Sequence, residues 1–383
     1  MIKGLSYMPI IKTGDAEMRG VSNLPISAKK SIIPMFELTR YRKVRRKVKG
    51  FEEKQEFEFP LDKRIDKIET SIGKDNPFFI DLTGDDKLSN DKIRELQNSK
   101  DGYSAWCQFL AEQKQRFSKI IPVLQVSDEG SKTIEQSQKN LKLQVEFLSK
   151  NYDYFLYRFP ITDQYYEADL NVIMSICDKS KIICCVDMAF IQKGQGIVSA
   201  QAIYDVISKI NKNYAVDNFI VSGTSFPQTI TSDKEFNEFG EYTLEEVKLF
   251  NEIKKLNQSN LNLYYSDYAC INPIRTDIMA SGWIPKIDCP DKESWFFHRK
   301  KKGSNEYAVV YAEVANLMTA DDRYKNVKKL LGSECWGIEQ IETASSGLPS
   351  GLSPSFWISV RLNLAISLRT AILSQPINKP RQV

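Results

Sequence analysis

Along the first 270 residues, polar side chains close otherwise apolar runs at regular intervals: Lys12, Glu37, Asp81, Gln125, Arg158, Asp187, the turn Ser222–Gly223–Thr224–Ser225, and Asp267 with Tyr268 beside it. Ending a buried run in a carboxylate costs on the order of several kcal/mol unless the group is paired or bound to a metal. Its repeated use predicts a site. In the functional reading, Glu37, Asp81 and Asp187 hold a divalent cation such as Mg²⁺ or serve as acid and base, and Arg158 completes the catalytic group. Arg158 and Lys12 grip an anion, with Ser222, Thr224, Ser225, Asp267 and Tyr268 as further ligand contacts. The structural reading is that these side chains pair with one another, Arg158 with Asp187 for example, and lock one end of the fold.

Seven of the ten residues from Arg40 to Lys49 are Arg or Lys, directly after the run that carries Glu37. Arg42, Arg45 and Arg46 are the expected phosphate contacts and Tyr41 offers a stacking face, so a nucleotide or nucleic acid is the expected ligand. The plainer alternative is a solvated loop neutralised by Glu52, Glu53, Glu56 and Glu58. The chain as a whole is not a polycation, since 53 basic and 49 acidic side chains leave a net charge of +4. Any attraction for phosphates is therefore local. His298 is the sole histidine and lies outside the eight runs, which reads as a surface residue and excludes metal sites built on two histidines. Seven cysteines without a CxxC pair read as reduced thiols, and Cys184 and Cys185 fall inside an apolar run as inert core.

The elements that must position these groups are eight short runs rich in β-branched and aromatic residues: 5–11, 32–38, 78–82, 120–126, 154–159, 182–187, 219–223 and 261–266. Segments with helical spacing separate them, such as Leu61, Ile65, Ile68 and Ile72, or Ile203, Val206, Ile207 and Ile210. Runs apolar on both faces, alternating with amphipathic helices, call for parallel pairing and right-handed crossovers. The expected fold is α/β, a (β/α)8 TIM-like parallel barrel over 1–270 with a mainly helical C-terminal extension over 271–383 packed on it. An open doubly wound sheet is the runner-up, weakened because no strand-to-helix turn carries GxGxxG or GxxxxGK[ST]. In a parallel barrel the C-terminal strand ends share one face, so the polar residues above would meet at one mouth. The stretch MIKGLSYMPIIKTGDAE has no signal-peptide pattern and Ser355–Leu373 is interrupted by Arg361 and Arg369, so a cytoplasmic protein that does not enter a membrane is expected.

Taken in order, YMPIIKTGDAE, IIPMFELT, FFIDL, IPVLQ, YRFP, VDM, SGTSFP and SDYACINP resemble the phage and bacterial beta-protein family from Tyr7 to about Asn363. The resemblance implies that Lys12, Glu17, Glu37, Asp81, Arg158, Asp187, Ser225–Phe226–Pro227 and Asp267–Tyr268 occupy the family's motif positions. Two places depart from its pattern. CWGIEQI (335–341) stands where a glycine–aspartate pair is expected, and Arg361–Leu362–Asn363–Leu364 stands where histidines are. Membership implies a setting in mobile elements and antiviral gene neighbourhoods.

Three functions follow as expectations. The first is a phage-encoded or phage-defence protein that binds a phosphate-containing ligand at the mouth, with metal-dependent phosphoester hydrolysis as its catalytic form. The second is a non-catalytic binding or scaffold subunit that engages a protein partner in an antiviral complex. The third is a glycoside hydrolase using Glu37 and Asp187, disfavoured because the surrounding sequence lacks aromatic platforms for a sugar.

Overall fold

The computed structural model describes residues 5–41, 44–47, 54–57, 60–127, 133–229, 238–274 and 282–374. Eight parallel strands form one sheet: β1 (Tyr7–Lys12), β2 (Met35–Leu38), β3 (Phe78–Leu82), β4 (Ile120–Pro122), β5 (Phe155–Pro160), β6 (Ile182–Phe190), β7 (Asn218–Thr224) and β8 (Asn262–Asp267). The first and last strands pair, Tyr7 with Tyr265 and Met8 with Ser266, as the barrel expectation requires. Between β4 and β5 the sheet is joined by a single bridge, Val123 to Leu156, so it nearly closes into a barrel. Helices follow the strands and surround it, which makes the fold α/β and TIM-like.

The strands are continuously apolar because both faces are buried. One alternate set, including Met8, Ile10, Met35, Phe79, Leu156 and Ile220, fills the barrel interior. The other, including Tyr7, Ile11, Phe36, Phe78 and Ile80, packs outward under the helices. A one-residue slip would exchange these sets, so the register that aims the polar strand ends is fixed by core packing.

The sequence pattern missed three parts of the architecture. Val44–Lys47 and Lys54–Phe57 form a two-stranded antiparallel hairpin within the segment expected as a loop, with Arg45 opposite Glu56. Glu238–Thr243, between β7 and β8 in the chain, pairs with Ser294–Arg299, which in turn pairs with Lys286–Pro290. Within the extension expected to be mainly helical, helices span Tyr307–Ala320, Asp322–Leu331, Trp336–Ser345 and Pro354–Leu373, the second of which no sequence signal marked.

Helix Pro354–Leu373 is long and apolar enough to cross a membrane, yet 72% of its most apolar window is buried inside the protein. It packs between the extension's own core and the barrel. A Cβ on Gly20 would fall 2.7 Å from the Ser359 carbonyl oxygen, so only glycine permits this close approach to the first barrel helix. Asn363 ties three segments together: its Nδ2 donates to the Gly20 carbonyl at 3.0 Å, and its Oδ1 accepts from the Gly337 N–H at 3.0 Å and lies 3.5 Å from Cys335 Sγ. Arg361 pairs with buried Asp288 at 2.8 Å and lies 4.0 Å from the Phe226 ring, which stacks on Trp295. These contacts seat the extension across the first barrel helix, after β1, and the segment that follows β7.

Candidate functional site

Each strand contributes one inward polar side chain at its C-terminal end. Counting two residues on from the inward core positions Ile10, Met35, Phe79, Val123, Leu156, Cys185 and Ile220 reaches Lys12, Glu37, Asp81, Gln125, Arg158, Asp187 and Ser222. Tyr268, just past β8, completes the ring and is itself inward and buried.

Arg158 is its hub. Its Nη1 donates to Glu37 Oε1 and Asp81 Oδ2, both at 2.8 Å. Its Nε and Nη2 donate to Asp187 Oδ2 at 3.0 and 2.7 Å, and Nη2 also donates to the Tyr268 hydroxyl at 2.7 Å. A guanidinium has five N–H donors, so Arg158 is fully committed. The Tyr268 hydroxyl donates onward to Asp187 Oδ2 at 2.6 Å. Lys12 donates to Glu37 Oε2 at 2.9 Å, and Gln125 Nε2 to Asp81 Oδ1 at 2.9 Å. The side chains of Glu37, Asp81 and Asp187 are 4%, 8% and 8% exposed, so this is a desolvated network and not a surface ion pair.

The electrostatics divide the carboxylates. Burial alone would raise Glu37, but Lys12 and Arg158 override it and hold the carboxyl at about 2, so it stays ionised and is a weak base. Burial raises Asp81 above the ordinary carboxyl value, helped by Glu37 and opposed by Arg158. Asp81 is therefore better able than Glu37 to carry a proton. Burial would lower Arg158, but Tyr268, Asp187, Glu37 and Asp81 raise it well above its ordinary value.

A shared metal ion does not fit this arrangement. Glu37, Asp81 and Asp187 converge on the Arg158 guanidinium, and among the described residues no group of three or more His, Cys, Asp or Glu side chains is placed to hold one. The five Arg158 donors are already engaged, four by carboxylate oxygens and one by the Tyr268 hydroxyl, which leaves none for an anion in this arrangement.

Strand alternation also moves two expected ligand contacts out of the mouth. Asp267 faces the helical layer, where it accepts from the Tyr7 and Tyr265 hydroxyls at 2.6 and 2.8 Å. Ser225 caps a helix: its Oγ accepts from the Glu245 N–H at 3.1 Å, while the Glu246 carboxylate accepts from Ser225 N–H at 2.9 Å and Oγ at 2.6 Å. This reciprocal pattern resembles a capping box assembled across the chain, at the start of helix Glu245–Leu256. Thr224 is fully buried and its Oγ1 accepts from the Phe226 N–H at 3.1 Å, so it shapes the turn.

Arg42 lies outside the described residues, and Arg45 and Arg46 lie on the hairpin strand Val44–Lys47. One face of the Tyr41 ring is covered by Arg64, 3.7 Å from its centroid. His298 is half-buried and lies 3.2 Å from Asp321 Oδ2, not on an open surface. All seven cysteines are free and buried.

Two backbone turns at the mouth repeat one device. In Asp187–Met188–Ala189 and Asp267–Tyr268–Ala269 the aspartate Oδ1 accepts the alanine N–H at 2.9 Å, and each alanine has φ of 49°. Left-handed backbone at a non-glycine residue costs about 1 kcal/mol and persists where the surroundings impose it. The first bulges β6 near its end, which runs on to Phe190, and the second turns the chain out of β8, so that Asp187 and Tyr268 touch. Ala189→Gly, at the exposed turn, is expected to raise unfolding stability by about 0.5–1 kcal/mol, the relieved strain outweighing glycine's extra chain entropy. A denaturant midpoint shifted downward would show that the turn is not strained.

A nearly closed eight-stranded parallel barrel, with a buried arginine–carboxylate ring at the C-terminal ends of its strands, places the protein among TIM-like α/β barrels with a polar mouth. Comparison with known proteins makes this specific. The Beta protein family model matches residues 7–367, and the chain belongs to the beta-protein family. It is 25% identical over 364 residues to Protein beta of Enterobacteria phage P4, covering 94% of this chain and 92% of that relative.

Proposed function

We propose that the barrel mouth binds a phosphate-containing ligand, a nucleotide or nucleic acid, in a phage-encoded or phage-defence setting within the cytoplasm. The observation that carries this reading is positional. The Arg/Lys run from Arg40 to Lys49 follows β2 directly in the sequence, after the strand end that brings Glu37 into the ring. A ligand with phosphates on this basic segment and hydrogen-bond donors toward the acceptor-rich ring would satisfy both. Where the ligand is cleaved, Asp81 is the residue we assign to proton transfer, because burial keeps its proton affinity raised.

The test is a salt titration of ligand affinity for wild type and the triple variant R42A/R45A/R46A. For a nucleic acid, each lost phosphate contact should flatten the slope of log affinity against log salt by about 0.7–0.9. A mononucleotide should give a shallower dependence. Superimposable curves for the two proteins would remove the basic run from the reading.

A second reading, a non-catalytic subunit holding a protein partner, is favoured by one observation: Arg158 spends every donor inside the protein. Such a ring can serve purely to lock the barrel. Absence of any phosphate-bearing ligand in the titration would favour it.

A further inference from the structure

We propose that the mouth holds a phosphate subsite of its own, between Lys12 and Ser222 on the β7–β8–β1 arc, distinct from the basic segment after β2 and not at Arg158; this rests on the phosphate-ligand reading above.

A census of ring donors supports it. Arg158 has none to spare. Gln125 Nε2 donates to Asp81 at 2.9 Å and to the Val123 carbonyl at 3.4 Å, and the Tyr268 hydroxyl donates to Asp187. Lys12 makes one described bond, to Glu37, which leaves two of an ammonium's three N–H groups. Ser222 is 1% exposed, and its Oγ is buried without a hydrogen-bond partner. Leaving a hydroxyl in that state is unfavourable, and an incoming acceptor would remove the cost.

The charges point the same way. Glu37, Asp81 and Asp187 hold the β2, β3 and β6 parts of the ring against an anion. On β8 the carboxylate of Asp267 is turned outward to Tyr7 and Tyr265, so it presents no charge to the mouth. Inward Ser266 beside it donates to the Met8 carbonyl at 2.7 Å. Lys12 and Ser222 stand on strands that flank β8, roughly 10 Å apart by two strand spacings. A phosphate oxygen on each side can reach a lysine ammonium and a serine hydroxyl across such a span.

The experiment compares AMP with adenosine by calorimetric titration of the full chain, in wild type, Ser222→Ala and Lys12→Gln. Ser222→Ala removes an unsatisfied hydroxyl, so its melting temperature without ligand should equal or exceed that of wild type. One hydrogen bond to a charged group corresponds to about 10-fold or more in affinity. Each variant should therefore bind AMP at least about 10-fold more weakly, while adenosine binds all three alike. If wild type binds AMP and Ser222→Ala binds it equally well, the subsite is overturned and the phosphate-ligand reading stands. Equal weakening of adenosine and AMP by Ser222→Ala also overturns it, by placing the lesion away from the phosphate. If wild type binds AMP no better than adenosine, both the subsite and the reading fall.

Discussion

Arg158→Ala is expected to destabilise the protein by about 3–5 kcal/mol at pH 7, because it leaves Glu37, Asp81 and Asp187 buried with their central cation gone. Truncating one member of a buried charge network costs more than the network contributes, since the remaining charges cannot be resolvated. The loss should shrink as pH falls and the carboxylates take up protons, whereas loss of simple packing would not depend on pH. Arg158→Lys should fall between, because three donors on a point charge replace a planar fork that reaches three carboxylates at once. Denaturant unfolding at pH 7 and pH 4.5 checks both parts: a penalty below about 1 kcal/mol at pH 7 would mean that the ring is not desolvated, and an equal penalty at both pH values would mean loss of packing alone. A double-mutant cycle with Asp187→Ala should show coupling of about 0.5–3 kcal/mol.

Glu246→Gln is expected to stabilise the protein by about 3 kcal/mol at pH 8 and to be nearly neutral below pH 4.5. Burial, with Asp267 adding to it, raises the Glu246 carboxyl from 4.5 to about 7 against the hydrogen bonds from Ser225. The folded state thus holds this proton more tightly than the unfolded chain. Stability from this group is complete below pH 4.5, declines as pH rises toward 7, and is flat above. A raised value of about 2.5 units, at about 1.4 kcal/mol per unit, gives the stated magnitude. Arg369 is coupled to Tyr265, Asp267, Tyr7 and Glu246 together and so does not neutralise Glu246 alone. Glutamine keeps an acceptor for Ser225 while removing the charge, which separates the electrostatic effect from loss of the cap. Glu37 acts in the opposite direction and in a different window: held at about 2, it contributes stability above pH 4.5 that is lost as pH falls toward 2. Wild type should therefore be most stable near pH 4.5–5 as far as these two groups decide. A Glu246→Gln profile parallel to wild type from pH 5 to 8 would show that the carboxyl is not raised.

The barrel was legible because eight runs such as FFIDL and IICCVD are apolar on both faces, and only parallel strands covered by helices bury both. Most of the ring was legible for the same reason, since a carboxylate or arginine closing such a run has to be repaid locally. Of the extension's sheet only the apolar strand around Trp295–Phe297 was legible. EFGEYT has no apolar run, and Glu238–Thr243 becomes a strand by pairing with Ser294–Arg299, more than fifty residues away, where Tyr242 stacks on Trp295. The hairpin of Val44–Lys47 with Lys54–Phe57 escaped notice because charge, not apolar alternation, dominates its composition.

Composition and pattern by themselves determined the alternating α/β architecture, the adjacency of the first and last strands, and the set of polar residues that close the strands. They could not decide which way each of those residues faces. Asp267 and Tyr268 are neighbours in sequence, yet strand alternation sends one to the helical layer and the other into the mouth. Nor could they show that Arg158 would be spent on three carboxylates, leaving Lys12 and Ser222 as the donors with capacity to spare. Facing direction depends on register, and hydrogen-bond capacity on which partners register brings within 3 Å. Both are properties of the closed barrel and not of any single run of residues.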